Sequence, residues 1–188
     1  MNPTVSQNQS TSVSTANPTA IANAEAQLKQ MLSSTSFSDA EIIHLPQYDL
    51  PAWYGFMINS ANYQAKLPLI YLVNQHQIIS LNNPDNLPSL FQSLNVGNNP
   101  NAIGLEQFIQ IYKLAYIGSP ISVLYTVDPN LTQPSDFAER DFVAPNVQST
   151  PLGTQYQFWA WIETSGVHYF AITVATDGTL ITESSLSR

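Results

Sequence analysis

Residues 155–183 read QYQFWAWIETSGVHYFAITVATDGTLITE. Two runs within them, 155–162 and 167–175, are dense in aromatic and β-branched residues, the types that suit a pleated, half-buried surface. Between the runs, Glu163-Thr164-Ser165-Gly166 is a short connection whose glycine can take positive φ. Asp177-Gly178 is the dipeptide that tight hairpin turns favour. The stretch therefore reads as a three-stranded antiparallel meander.

A register follows from those turns. A two-residue turn at Asp177-Gly178 pairs Thr176 with Thr179 and sets Val174 opposite Ile181. Ile162 opposite Val167 sets Trp161 facing His168 and Trp159 facing Phe170. One face then carries Trp159, Trp161, His168, Phe170, Ile172, Val174 and Ile181. The other carries Tyr156, Phe158, Ala160, Ile162, Tyr169 and Ala171. Both faces are apolar, so each needs a cover: helices, loops, a ligand or a partner.

Working backwards from the meander, residues 128–153 form a long connection with Pro129, Pro134, Pro145 and Pro151, and a helical turn is expected at Asp136–Asp141. Ile121–Val127 reads as a strand. The strongest helical pattern is 102–117, started by Asn99-Pro100 and ended by Gly118. Its polar stripe of Glu106, Gln110 and Lys113 is narrow, which predicts a helix largely buried against a sheet. A weaker helix spans 86–94 after Asn83-Pro84. Trp53–Asn59, Leu67–Val73 and Ile78–Leu81 read as strands, with Asn74–Gln77 as a polar turn. Ser38–Glu41 matches a capping box, while Glu41–Leu45 is equally compatible with a strand.

Asn17-Pro18 is a helix start, cap followed by a first-turn proline. Ile21, Ala24, Leu28, Met31 and Leu32 then recur at helical spacing, with polar Asn23, Gln27 and Gln30 between. Residues 1–17 are polar and low in complexity, so a disordered arm precedes a single domain over 18–188. Helices and strands come in runs without βαβ alternation. The expected class is α+β, a single twisted antiparallel sheet with helices packed on one face. An N-terminal helix ahead of a curved antiparallel sheet resembles the cystatin-like and nuclear-transport-factor-like architectures, a likeness of fold that implies no activity.

Composition narrows the function. Five Lys and Arg against 13 Asp and Glu give a formal charge of −8. Five scattered cations make no stripe for phosphates, so no nucleic-acid partner is expected, and anionic membranes are disfavoured for the same reason. Only 10% of residues are charged; polarity comes from Asn, Gln, Ser and Thr. That fits an extracytoplasmic or surface protein and equally a compositional habit of the host. No basic and apolar leader pattern is present, which makes cytoplasmic the default expectation and extracytoplasmic the one if a signal was removed. There are no cysteines, hence no disulfide, thiol nucleophile or cysteine-ligated metal.

Motifs that carry chemistry are sparse. No Gly-x-Ser-x-Gly elbow and no Gly-rich phosphate loop occur, so no cofactor is expected. His168 near the 163–166 turn, beside Trp161 with Glu163 in reach, has the makings of a ligand contact or an acid–base; a satisfied structural histidine at a strand end is the plainer reading. His44 and His76 have no partner at metal-ligand spacing, and no metal is expected of them. Asp128, Asn130, Thr132, Pro134, Asp136 and Glu139 match the positions of a calcium loop. Gln133 replaces its turn glycine, and a strand precedes it. Asn8 and Asn130 head Asn-x-Ser/Thr tripeptides.

Three functions fit these residues. The first is a non-catalytic binding or accessory module, using the aromatic-rich sheet and the Pro-rich loop to take a small apolar ligand or a protein partner. Trp161, Glu163, His168 and Tyr169 are its candidate contacts, with Trp53, Tyr54 and Trp159 in reserve. The second is a small hydrolase or isomerase with Glu163, His168 or Asp49 as acid–base. The third is a structural or surface protein that assembles through an open strand edge.

Overall fold

The structure is a computed structural model that describes residues 17–61, 63, 67–126, 142–163 and 165–186, with side chains as far as Thr182. Most of the N-terminal arm, the whole Asp128–Glu139 calcium spacing and the expected turn at 136–141 lie outside those residues.

The chain is α+β with antiparallel sheets, and its strands divide between two sheets rather than forming one. The first is a meander in the order β1 (Glu41–His44), β2 (Tyr54–Asn59), β3 (Leu69–Val73) and β4 (Ile78–Ser80). The second holds β5 (Ile121–Leu124), β6 (Asn146–Thr150), β7 (Gly153–Ile162), β8 (Gly166–Ala175) and β9 (Leu180–Leu186). β8 lies on one edge of β7 and carries β9. The other edge of β7 is shared end to end: β6 pairs residues 153–157 and β5 pairs 159–162. β6 and its turn at Pro151-Leu152 thus replace the end of the connection expected over 128–153.

Period-two alternation explains the layers. In the first sheet Phe56, Ile58, Leu69 and Val73 face outward onto helix α1 (Pro18–Leu32), where Ala24, Leu28 and Leu32 are buried. Ile70 and Leu72 point the other way, into the main core. There they meet α2 (Leu87–Ser93) and α3 (Leu105–Tyr112), which lie between the two sheets. The 83–118 segment fills the gap because both sheets turn an apolar face towards it. The single-sheet expectation, and the architectural likeness built on it, does not carry over.

Local signals explain most element ends. Asn17 caps α1, its side-chain oxygen accepting from the Thr19 amide at 3.0 Å. Asn74 closes the β3–β4 turn by accepting from the amides of His76 (2.8 Å) and Gln77 (2.7 Å). Asn99-Pro100 does not start α3. Asn99 instead accepts from the Asn101 amide at 3.0 Å, and the helix begins after Gly104, whose amide donates to Gln107 Oε1 at 3.3 Å. α3 then widens into a π-turn over Lys113–Ile117 and stops at Gly118, φ +64°. Among the described residues no helix is long and apolar enough to cross a membrane.

Both meander turns are longer or shorter by one residue than expected, and each slip exchanges faces. Ile162 pairs with Gly166 rather than Val167, so Trp161 faces Val167, Ala160 faces His168 and Trp159 faces Tyr169. At the second turn Ala175 N–H donates to Thr179 O at 2.8 Å and Gly178 N–H to Ala175 O at 2.9 Å. The loop is therefore 176–178 with Gly178 at φ +85° in its third position, and Val174 faces Leu180. Gly178 has a second reason to be glycine: a Cβ there would lie 2.0 Å from the Pro88 carbonyl oxygen.

In the true register Tyr156, Phe158, Ala160, Ile162, Phe170, Ile172 and Val174 share the face that α2 and α3 cover. The Phe108 ring of α3 stacks on Tyr156 with centroids 3.7 Å apart and planes at 3°. Phe91, Tyr112, Phe158 and Phe170 extend the aromatic layer. Tyr156 Oη donates to Ile103 O at 3.4 Å, and its burial raises the phenol pKa. Thr154 Oγ1 donates to Val96 O at 2.6 Å. Gly97 beside it leaves no space for a Cβ, which would lie 2.1 Å from Ala175 O.

Two outcomes follow from this layer and its turn. Phe108→Ala removes a fully buried ring and is expected to lower the unfolding free energy by about 3–5 kcal/mol in urea titrations; a loss under about 1 kcal/mol would remove Phe108 from the centre of the fold. The Asp177 carboxyl accepts from the Thr179 hydroxyl and amide, which hold its pKa below the ordinary carboxylate value. Its stabilising contribution is then fully present above the unfolded-state value and is lost as pH falls through the depressed folded-state value. Carbon-detected NMR titration should show Asp177 moving upward in Thr179→Val, and an unmoved midpoint would contradict the assignment.

Candidate functional site

The residues singled out from sequence gather at one hairpin end without forming one constellation. Glu163 is exposed in the turn. His168 Nε2 lies 2.8 Å from Ser165 Oγ, and its ring is 6.0 Å from Phe170 on the helix-covered face. Trp161 and Tyr169 stand on the opposite face. Trp161 and His168 are thus not face partners, because the 163–165 loop is one residue shorter than supposed. On that opposite face Trp159, Val167 and Leu124 are buried, with Phe142, Trp161 and Tyr169 packed around them. Trp53 is a core residue.

A second arrangement involves Asp49, which the sequence offered as an acid–base, and His44, which it left without a partner. His44 Nε2 lies 3.1 Å from both carboxylate oxygens of Asp49, and the imidazole sits 5.4 Å from the Phe56 ring. Asp49 Oδ1 also accepts from Gly55 N–H at 2.9 Å, and its backbone carbonyl accepts from Gln107 Nε2 at 3.0 Å. Leu45 N–H donates to Gly55 O at 2.7 Å. These bonds fasten both ends of the 45–55 excursion between β1 and β2. At its tip Trp53 N–H donates to Leu50 O at 2.9 Å, closing a turn with Pro51 second and Ala52 third. Ala52 has φ +65°, a left-handed conformation that costs a residue bearing a Cβ about 1 kcal/mol or more. The closed tip holds it there.

Ala52 is part of the lining of a pocket of ≈ 330 Å³, together with Ala20, Asn23, Ala24, Gln27, Tyr54, Asn74, Gln75 and His76. The α1 contributors are spaced i, i+3, i+4 and i+7, one helical face. Tyr54 is the first residue of β2, pointing to the α1 side of the sheet with Phe56 and Ile58. Asn74, Gln75 and His76 belong to the β3–β4 turn. At positions 20 and 24 α1 contributes only alanine methyls to the lining, where larger side chains would take up part of the space. Ala24 is buried, Ala20, Gln27, Tyr54 and Asn74 are half-buried, and the rest form an exposed rim.

Sequence reasoning named only Tyr54 as a candidate contact here. It placed Asn23 and Gln27 as polar residues between the apolar positions of α1 and read 74–77 as a polar turn. The available signal was Ala20 and Ala24 sitting in an otherwise large-residue stripe. Among the described residues no group of three or more His, Asp or Glu side chains is placed to hold a metal ion.

The fastening of the tip makes a paired prediction. Ala52→Gly relieves the left-handed strain and should stabilise the fold by about 1 kcal/mol, offset in part by the freer unfolded chain. Asp49→Ala leaves the Gly55 amide and His44 without their acceptor and should destabilise by roughly 1–3 kcal/mol. Thermal and urea unfolding check both, and equal midpoints for the two variants would refute the fastening. No family model, curated protein or solved structure matches this chain.

Proposed function

We propose that this chain is a non-catalytic binding module that holds a small, uncharged ligand with a largely apolar body between α1, the Ala52–Tyr54 segment and the Asn74–His76 turn. The observation that carries this reading is the pocket wall: alanine methyls and a tyrosine ring for the body of a ligand, carboxamides and one imidazole at the edge, and no Asp, Glu, Lys or Arg. Concave, mainly apolar sites with a few convergent polar groups are where small molecules bind. A net charge of −8 disfavours anions. A cation would enter a wall that offers it no carboxylate.

The reading moves the ligand away from the aromatic sheet of the meander. One face of that sheet is filled by α2 and α3, and on the other Trp159 and Val167 are buried in a cluster with Leu124. An enzymatic reading has the His44–Asp49 pair in its favour. That pair is engaged in fastening the 45–55 excursion, with Asp49 holding the Gly55 amide.

Ligand-observed NMR with toluene and benzamide as probes, followed on the methyls of Ala20, Ala24 and Ala52, tests the reading. Saturable shifts at those methyls are expected. Ala20→Phe, which places a ring in the pocket from a half-buried helix position, should weaken binding at least tenfold while leaving the unfolding midpoint within a few degrees. Shifts absent from all three methyls, or undiminished in Ala20→Phe, would sink the proposal.

A further inference from the structure

We infer that the pocket selects a ligand with a carboxamide-type edge, a hydrogen-bond donor and acceptor side by side on a neutral ring compound. This inference rests on the binding reading above and names the ligand class of the same pocket.

Asn23, on the exposed rim, and Gln27, half-buried, stand four residues apart on one face of α1, and both line the pocket. No hydrogen bond within the described residues engages either side chain, whereas many Asn and Ser side chains here are tied to nearby backbone. A carboxamide donates and accepts at once. Two side by side present an alternating donor–acceptor edge that an amide or ureido group meets with paired hydrogen bonds. A lone hydroxyl or carbonyl uses only part of that edge.

Asn74 lines the same pocket from the β3–β4 turn. Asn74 Oδ1 is spent on the amides of His76 and Gln77, which leaves its N–H2 end to donate. Asn74 can therefore donate to a ligand carbonyl. Tyr54, half-buried in the same lining, offers a ring face for the ligand body. Carboxamides at the wall favour a neutral polar group over an ionised one, because neither a carboxylate nor an ammonium would find an opposite charge to offset its desolvation.

The test compares benzamide with toluene, the same ring with and without the amide, on the full chain. In Asn23→Leu and Gln27→Met the wall keeps its bulk and loses its hydrogen-bonding edge. The expected result is a drop of roughly tenfold or more in benzamide affinity in the double variant, as loss of two hydrogen bonds implies, with toluene binding unchanged or tighter. Gln27→Met alone should show a smaller drop in the same direction, and serves if the double variant folds poorly. An unchanged benzamide-to-toluene affinity ratio overturns the inference. Toluene binding to the wild-type pocket without benzamide binding overturns it too, while leaving the pocket reading intact. Failure of both probes on the wild-type chain removes the pocket reading, and this inference with it.

Discussion

The arrangement depends on one layer of aromatic packing. Phe108 lies parallel to Tyr156 at 3.7 Å, with Phe91 behind it and Tyr112 beside it. Through this stack a helix that belongs to neither sheet binds to the second sheet. The same helix reaches the excursion between β1 and β2 by Gln107, which donates to the carbonyl of Asp49. Thr154 and Tyr156 point polar atoms into the same layer and find backbone carbonyls at Val96 and Ile103. Buried hydroxyls with partners fix orientation where apolar contact alone would tolerate sliding. The helices therefore act as the middle layer of a sandwich whose outer layers have separate sheets.

That constraint decides where open space remains. The inner faces of both sheets are filled by α2 and α3, so the outer face of the first sheet is left to α1, with Phe37 and Tyr63 packed on the same cluster. α1 spans 15 residues and buries Ala24, Leu28 and Leu32. Its leucines sit towards the C-terminal half and its alanines towards the N-terminal half. Leu28 and Leu32 pack into the cluster under the C-terminal half, while Ala20 and Ala24 line the pocket at the N-terminal half. The pocket follows from this gradient of side-chain size along one helix face, and the Asp49-fastened tip with Ala52 supplies its far wall.

The class of fold was legible because period and turn chemistry are local. Asn17-Pro18, the stripe Ala24–Leu28–Leu32, Asn74 in its turn and the two long strands of the meander all stand where their residues pointed. What failed was parity and partition. Asp177-Gly178 is compatible with a two-residue loop and with a three-residue loop carrying glycine last; contact with Pro88 in α2, remote in sequence, favours the second. One residue at the 163–165 turn moved Trp159 and Trp161 away from the face of His168. The division into two sheets was equally hidden, since strands with two apolar faces announce that both are covered without saying by what. The His44–Asp49 pair was illegible for another reason: a contact across a 3₁₀ turn at Pro46–Tyr48 has neither helical nor strand periodicity.

The pocket itself has a physical cost that argues against accident. Ala52 is held in a conformation that a glycine would adopt without strain, and the α1 face over Tyr54 forgoes the burial that leucines at positions 20 and 24 would supply. Either feature alone is an ordinary imperfection of packing. Here both border one cavity, together with two carboxamides unengaged by the described residues and a turn whose asparagine has one end committed and one end open. Proteins lie close to their stability threshold, so unfilled space and local strain that converge at one place are easily removed by single substitutions unless something opposes it. A bound molecule is what opposes it in this reading: it restores the missing contacts, occupies the open hydrogen-bonding groups and stabilises the folded chain by mass action.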